Sequence, residues 1–377
     1  MAAGGVLRYF LPPMASLLSP RTLKRGLQIF FVISVLGVVT VLWRTGKWQA
    51  TLDAFAQVRP GWLLVGLVLA SSDWLGGGLR IYLLTRHVWP KTPFWGMVTA
   101  GGLTAWAAYL TPAQAGGGPT MILTMRRFGV PLPEAMTSTV MSLLTTVIFF
   151  AIAGPLALVF GAGVSLAGHT TGILGISLYD IFKTSAATFG LIGGVLLLAL
   201  GFPKVTTALL HRLVTWLETH HGERWAQRVE GMRAGIDRMH ECTVLYFRTP
   251  SGWLQMFVGV LTSGLAHANR LLAGYVAMRA LGLDPDFLDI LIVQVTVSFL
   301  LYFAPTPGGA GAAEALSALV MQKYVPIDLL PAYTIIWRFT MSYATVIFGT
   351  YVFYKLLHGT LEEAEVGATE GSATAPA

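Results

Sequence analysis

The chain has 377 residues, 54% of them hydrophobic and only 11% charged, with a mean hydropathy of +0.65. That composition excludes a soluble domain and a receptor with one anchor, and leaves a polytopic all-α membrane protein. The formal net charge of +7 reports membrane topology rather than nucleic acid, and the single cysteine, Cys242, excludes an internal disulfide or a cysteine metal cluster.

In chain order, the basic N-terminal stretch 1–26 carries Arg21, Lys24 and Arg25 ahead of an apolar run at 27–43. No small-residue cleavage site follows, so the run reads as an uncleaved first span. Further apolar segments cover 62–85, 94–125, 134–161, 181–202, 252–278, 287–321 and 331–354. Six of the eight suit a single crossing of ~20 residues. Segments 94–125 and 287–321 are too long for one crossing and carry Gly/Pro clusters inside them: TPAQAGGGPT at 111–120 and APTPGGAGAAEA at 304–315. Irregular backbone survives in hydrocarbon only where protein or a wet cavity receives it. Both segments therefore read as re-entrant helical hairpins. The first membrane half is then 27–202 and the second 251–356, joined by a charged amphipathic linker at 203–250. There Trp216 and Trp225 are spaced for interfacial helices. The tail at 357–377 has little to bury and reads as disordered.

Lys and Arg placement sets orientation. Arg8, Arg21, Lys24, Arg25, Arg86, Lys91, Arg126, Arg127, the seven linker cations and Lys355 fall on one side; Arg44, Lys47, Arg59, Arg279 and Lys323 fall on the other. The larger set is cytoplasmic, which predicts both termini inside. Tyr109 and Pro112 in the first break match Tyr302 and Pro305 in the second. Each half thus reads span, broken hairpin, span, and the extra span 181–202 inverts the second copy. Inverted repeats meeting near the midplane are a secondary-transporter architecture.

The breaks supply the first candidate residues. Gly116, Gly117, Gly118, Gly308, Gly309 and Gly311 allow backbone conformations closed to other residues, and Pro112, Pro305 and Pro307 cannot continue a helix. A half-helix starting near Ala310 points a partial positive charge inward, suiting an anionic group; close packing by small residues is the plainer alternative. Arg80, Arg270 (after Asn269) and Arg338 lie within apolar segments, where an arginine costs ~2.5–3.5 kcal/mol at mid-helix and needs a partner or water. Their planar forks suit phosphate or carboxylate. Arg80 and Arg270 could equally snorkel. Arg338 is deeper and is expected to pair with Glu314 or touch substrate. Glu314 either locks the second hairpin through Arg338 or couples transport to protons. Asp73 shares a helix face with Arg80 and is a second coupling candidate. GxxxxGK[ST], HExxH and GxSxG motifs are absent from the sequence, so no nucleotide, metal or other cofactor is expected. His220-His221-Gly222-Glu223 reads as solvated.

PTPGGAGAAEA at 305–315, followed by Val325-Pro326 and Arg338, resembles the membrane domain of the lysylphosphatidylglycerol synthase/flippase family. TPAQAGGGP at 111–119 with Arg127-Phe128-Gly129-Val130 resembles that family's first motif. The resemblance covers about 62–355. It implies two re-entrant regions that move amphipathic lipid between leaflets, with roles for Gly116, Gly117, Pro305, Pro307, Gly308, Gly309, Glu314 and Arg338. Relatives continue into an aminoacyl-transferase domain and this chain stops after Lys355, so a non-enzymatic protein is expected. The reading is a flippase for a lipid with a polar or anionic headgroup: a phospholipid, an aminoacyl-lipid or a polyprenyl-linked glycolipid. The alternatives are a carrier for a soluble organic anion and a non-transporting partner of a glycosyltransferase or lipid-modifying enzyme. Membrane lipids are the expected partners, a homo-oligomer is allowed, and the bacterial inner membrane is the expected location.

Overall fold

The computed structural model describes residues 20–157, 159–160, 178–221, 226–302 and 304–356. The expectations for residues 1–19, for Gly222, Glu223 and Trp225, and for the tail at 357–377 fall outside these residues. Every regular element among the described residues is a helix: α1 (Pro20–Thr45), α2 (Trp48–Ala56), α3 (Pro60–Ala70), α4 (Ser72–Val88), α5 (Phe94–Leu110), α6 (Gly117–Arg127), α7 (Leu132–Ala157), α8 (Leu178–Gly201), α9 (Pro203–His221), α10 (Ala226–Arg248), α11 (Pro250–Ala266), α12 (Ala268–Ala280), α13 (Phe287–Tyr302), α14 (Ala312–Met321), α15 (Leu330–Arg338) and α16 (344–356). Four stretches are long and apolar enough to cross a membrane: Leu23–Thr45, Pro60–Val88, Leu132–Ala157 and Lys183–Gly201. Their outward faces carry exposed Val32, Leu36, Leu64, Val68, Leu191 and Leu198, as a surface against lipid requires.

Three of the expected uninterrupted spans are broken. Segment 62–85 is two helices meeting at Ser71, segment 252–278 is two meeting at His267, and segment 331–354 is split by a π-turn at Phe339–Tyr343. At Ser71 the hydroxyl turns back onto the Val68 carbonyl at 2.6 Å, and the Trp74 N–H bonds to Ser71 O at 3.0 Å. At His267, Nδ1 lies 2.8 Å from Ser263 O. In each case a side chain close to its own backbone competes with the helical ladder, which is how a helix kinks without proline.

The two kinked rods, α3–α4 and α11–α12, run antiparallel along their whole length. Arg59 N donates to Ala280 O at 2.9 Å, Gly66 lies against Val276, Ser72 Oγ accepts from Asn269 N at 3.1 Å, and Gly76 touches Leu265. Farther along, Arg80 bonds Ser263 and Gly259 meets Leu84. The kinks therefore face each other at the centre of the molecule.

A helical hairpin packs at each end of this pair. α6 doubles back on α5: Gly117 lies against Thr104 and Ala108, and Phe128 covers Gly96. α14 doubles back on α13, so that Met321 reaches Gln294. The base of the first hairpin sits beside the C-terminal part of α4, where Phe94 packs on Tyr82. The base of the second sits beside the C-terminal part of α12 and the start of α3, where Phe287 packs on Tyr275 and Tyr275 on Trp62. These are opposite ends of the bundle, and the two tips touch: Ala113 N donates to Ala304 O at 3.3 Å and Gln114 Nε2 to Tyr302 O at 3.4 Å.

The linker forms the antiparallel pair α9–α10, joined by His211–Asp237 at 2.9 Å and Thr207–His240 at 2.9 Å. Arg238 donates to the buried Glu134 at the start of α7 at 2.8 Å and to Glu241 at 2.7 Å; these bonds hold its guanidinium above the usual arginine range. Cys242 beside them is buried, and burial, with Glu134 adding to it, pushes its thiol up to about 11.

Candidate functional site

The second break turns on glycine. Gly308, Gly309 and Gly311 have φ of 57°, 67° and 78°, in the left-handed region that penalises a Cβ. A Cβ on Gly308 would also lie 2.9 Å from Tyr109 O and 2.8 Å from the Phe30 ring. Pro307 opens a short 3-10 turn, Pro305 lies just before it, and Gly311 is the N-cap of α14. The first break turns differently from expectation. Gly117 and Gly118 are already helical and Gly116 has φ −73°; the left-handed residues are Ala113 (φ 48°) and Gln114 (φ 58°). Glycine here serves close approach instead: Gly116 N donates to Thr111 Oγ1 at 2.8 Å, and a Cβ on Gly116 would collide with that threonine. Pro112 starts the turn.

Behind the second break lies a buried ion pair. Arg338 and Glu314 are both 0% exposed, and Arg338 Nε donates to Glu314 Oε1 at 2.9 Å. The same oxygen accepts from Ser34 and, at 3.3 Å, from Tyr343. Glu314 Oε2 accepts the Gly311 N–H at 2.7 Å, so the carboxylate caps its own helix. The positive end of α14 is thus already occupied by Glu314. Arg338 Nη2 donates to Gly308 O at 3.1 Å and lies 3.4 Å from Ser34 Oγ. α1 can come this close because Gly37 has no side chain: a Cβ there would sit 3.1 Å from Glu314 Cβ. One pair therefore ties together α1, the second break, α14 and α15.

A second polar cluster sits where the rods kink. Asp73 Oδ2 accepts from Thr345 Oγ1 at 2.8 Å, Asn269 Nδ2 at 2.9 Å and Tyr109 OH at 3.3 Å. The Met341 carbonyl, inside the π-turn, accepts from Tyr109 OH at 2.8 Å and Asn269 Nδ2 at 3.0 Å. Arg270 Nε donates to Tyr109 OH at 3.3 Å, with the guanidinium 5.0 Å from the centre of that ring.

Two cavities adjoin this cluster. The smaller, about 20 Å³, lies between the tips and is lined by Gly308, Gly309, Tyr109, Gln114 and Arg270; it has room for about one water. The larger, about 320 Å³, is walled by Arg80, Arg270, Asp73, Gln114, Gly117 and Gly118, with Leu143 on its wall 42% exposed. Arg80, 8% exposed, donates from Nη1 to Thr146 Oγ1 at 2.5 Å and Ser263 Oγ at 3.2 Å. It does not snorkel.

The structure thus gathers Arg80, Arg270 and Asp73 with Gly117 and Gly118 around one cavity, and Gly308 and Gly309 around the other. Arg338 and Glu314 line neither, and Asn269 stands behind Asp73 as its donor. Sequence reading missed Gln114, Ser34, Tyr343 and Thr345 as parts of the site. Tyr109 and Tyr302 carried a usable signal, matching positions at the two breaks. Ser34 carried only its spacing of three from Gly37.

The family model described as the lysylphosphatidylglycerol synthase TM region matches residues 28–349. The chain belongs to that family. A UPF0104 membrane protein of Archaeoglobus fulgidus is 24% identical over 302 residues, covering 77% of this chain and 86% of the relative. No solved structure matches the chain. The lysylphosphatidylglycerol synthase TM region match runs through both hairpins and the Arg338–Glu314 pair, and stops inside α16. Together with the apolar helices it marks an integral membrane protein.

Proposed function

We propose that this protein is a non-enzymatic lipid transporter that carries a polar or anionic headgroup between leaflets while the acyl chains stay in the bilayer. The observation that carries the reading is the meeting of two broken hairpins, tip to tip, beside a cavity walled by two arginines. At ~1.5 Å per residue, the 11 residues of α6 and the 10 of α14 reach roughly half of a ~30 Å hydrocarbon core. That supports hairpins that re-enter from opposite leaflets in an inverted repeat, with both termini in the cytoplasm by the charge bias. The family membership supports a membrane-transport role and leaves the lipid unnamed.

The test is reconstitution into liposomes with a headgroup-labelled fluorescent phospholipid and an impermeant reductant outside. Active protein exposes the inner-leaflet label to bleaching. Cross-linking Ala113→Cys to Ala304→Cys should stop this movement, and a thiol reductant should restore it, because the tips must part for a headgroup to pass. Movement that continues through the cross-link refutes the route. Uptake of a soluble organic anion without lipid movement replaces the lipid by that anion.

A further inference from the structure

The charges around the larger cavity do not cancel. Two guanidinium groups, Arg80 and Arg270, line it against a single carboxylate, Asp73. Asp73 Oδ2 is already taken by Thr345, Asn269 and Tyr109. Arg80 donates to the neutral hydroxyls of Thr146 and Ser263 and shares the cavity wall with Tyr302, and among the described residues no ion pair joins it to a carboxylate. Its Nε–H is buried and has no acceptor. A buried donor on a charged group without an acceptor is costly, on the order of 1–3 kcal/mol or more. Arg338, more deeply buried, also leaves one nitrogen, Nη1, without an acceptor, but there a carboxylate meets the charge and a carbonyl takes a second nitrogen.

The remaining wall suits an anion as well. Gly117 and Gly118, the first two residues of the 11-residue helix α6, present its positive end and no side chain. Thr104, Ser142 and Gln114 add polar groups around it. A volume of about 320 Å³ is at the small end of ligand sites, which run from ~300 to ~1,000 Å³. It suits a small tetrahedral anion with a modest substituent better than an oligosaccharide.

We propose that this cavity is a phosphate site, in which Arg80 and Arg270 clamp the phosphoryl oxygens of a phosphate ester. A phosphodiester carries one negative charge, which offsets the one excess positive charge of the wall. The forked guanidinium donors match phosphate geometry, and a phosphoryl oxygen supplies the anionic acceptor that the neutral hydroxyls around Arg80 do not. A cationic headgroup would meet two like charges and is disfavoured. The proposal deepens the transport reading and rests on it for the source of the ligand: the phosphate belongs either to a phospholipid headgroup or to a soluble ester.

Native mass spectrometry of the full chain in a neutral maltoside detergent separates these sources. The probes are dioleoyl phosphatidylglycerol, a glucosyl diacylglycerol that lacks phosphate, glycerol 3-phosphate and laurate. Phosphatidylglycerol should bind, and Arg80→Gln or Arg270→Gln should each weaken it by about tenfold or more, as the loss of a charge-assisted hydrogen bond implies. Arg80→Lys should fall between, since it keeps the charge and loses the fork. The phosphate-free glycolipid should be indifferent to all three changes. Arg270 is only half-buried, so its variant keeps the test open if Arg80→Gln fails to fold. Binding of glycerol 3-phosphate with the same arginine dependence assigns a soluble ester as the source. Equal binding of glycolipid or laurate, or phosphatidylglycerol binding unchanged in a folded arginine variant, overturns the phosphate site. Arginine-dependent binding without bleaching in liposomes removes transport alone. Bleaching with no arginine dependence of binding removes this site alone.

Discussion

Removing Glu314 should be among the most damaging single changes in the chain. In Glu314→Ala, the guanidinium of Arg338 stays at 0% exposure with the Gly308 carbonyl at 3.1 Å as its one strong acceptor. Breaking a buried pair from one side costs about 3–5 kcal/mol, because it leaves a charge without compensation. The Gly311 N–H also loses its acceptor at 2.7 Å, and loss of a helix cap costs about 1 kcal/mol. The two together give roughly 4–6 kcal/mol. Glu314→Gln keeps one acceptor oxygen, for the Gly311 N–H or for Arg338 Nε but not both, so it should lie between wild type and alanine. Replacing both partners, Glu314→Leu with Arg338→Met, removes both buried charges and should recover most of the loss. Equilibrium unfolding in mixed micelles, followed by tryptophan fluorescence, reads these differences; Trp337, fully buried and bonded to Gln294 Oε1, is a reporter inside the region. An alanine variant within about 1 kcal/mol of wild type would refute the reasoning. So would a double variant that costs the sum of the two singles, since contacting residues should couple by more than ~0.5 kcal/mol.

Three further expectations can be checked by unfolding or labelling. Ala113→Gly removes a left-handed penalty of ~1–2 kcal/mol at φ 48° and adds ~0.4–1 kcal/mol of unfolded-chain freedom, so it should be neutral to mildly stabilising; a clear loss of stability contradicts the assigned turn. Gly78→Val should separate α4 from α5, because a Cβ there would lie 2.4 Å from the Val98 Cα, and the expected cost of overpacking is about 1–3 kcal/mol or more. Cys242 should resist maleimide at pH 8, where a buried thiol raised to about 11 stays protonated. The unfolded thiol ionises near 8.5, so the folded state should lose stability as pH rises from about 9 toward 11. Labelling as fast in the folded as in the unfolded protein would overturn that.

What could be read from sequence follows the size of the energetic anomaly. Gly308-Gly309 after Pro307, and Glu314 and Arg338 within apolar runs, are costly enough in a membrane to announce themselves, and the pair forms as its depth implied. The kinks at Ser71 and His267 do not. A serine or a histidine hardly alters the hydropathy of its segment, and its effect depends on a local bond to the backbone. Gly116, Gly117 and Gly118 show the opposite failure. Glycine is chosen either for an unusual φ or for the lack of a side chain, and composition does not tell these apart. Here the left-handed turn falls on Ala113 and Gln114, whose identities give no hint of it. The cavity is less legible still, since its walls come from α4, α5, the first break, α6, α7, the kink between α11 and α12, and the end of α13. That convergence follows from the antiparallel pairing of the two rods, which no single segment encodes.

The two arginine environments differ in a way that assigns them different work. Arg338 is neutralised within the fold, by Glu314 and the Gly308 carbonyl, and these bonds anchor the second break to α1 and α15. Its charge is met inside the fold, although Nη1 is left without an acceptor, and it lines neither cavity. Arg80 is buried against neutral hydroxyls, Arg270 is half-buried against the Tyr109 ring with Asp73 nearby, and both open onto one cavity. Placing a charge in a membrane without a partner is expensive enough that a purely structural pair would be better served by apolar side chains. Under the proposed phosphate site, an incoming anion stabilises the protein at Arg80 and Arg270, and the Arg338–Glu314 pair plays no part in binding it. Ligand binding should accordingly raise the unfolding midpoint of wild type and of the Glu314→Leu, Arg338→Met double variant alike. It should raise that of Arg270→Gln much less at the same ligand concentration, and a ligand shift that vanishes with the Glu314–Arg338 pair would reverse the assignment.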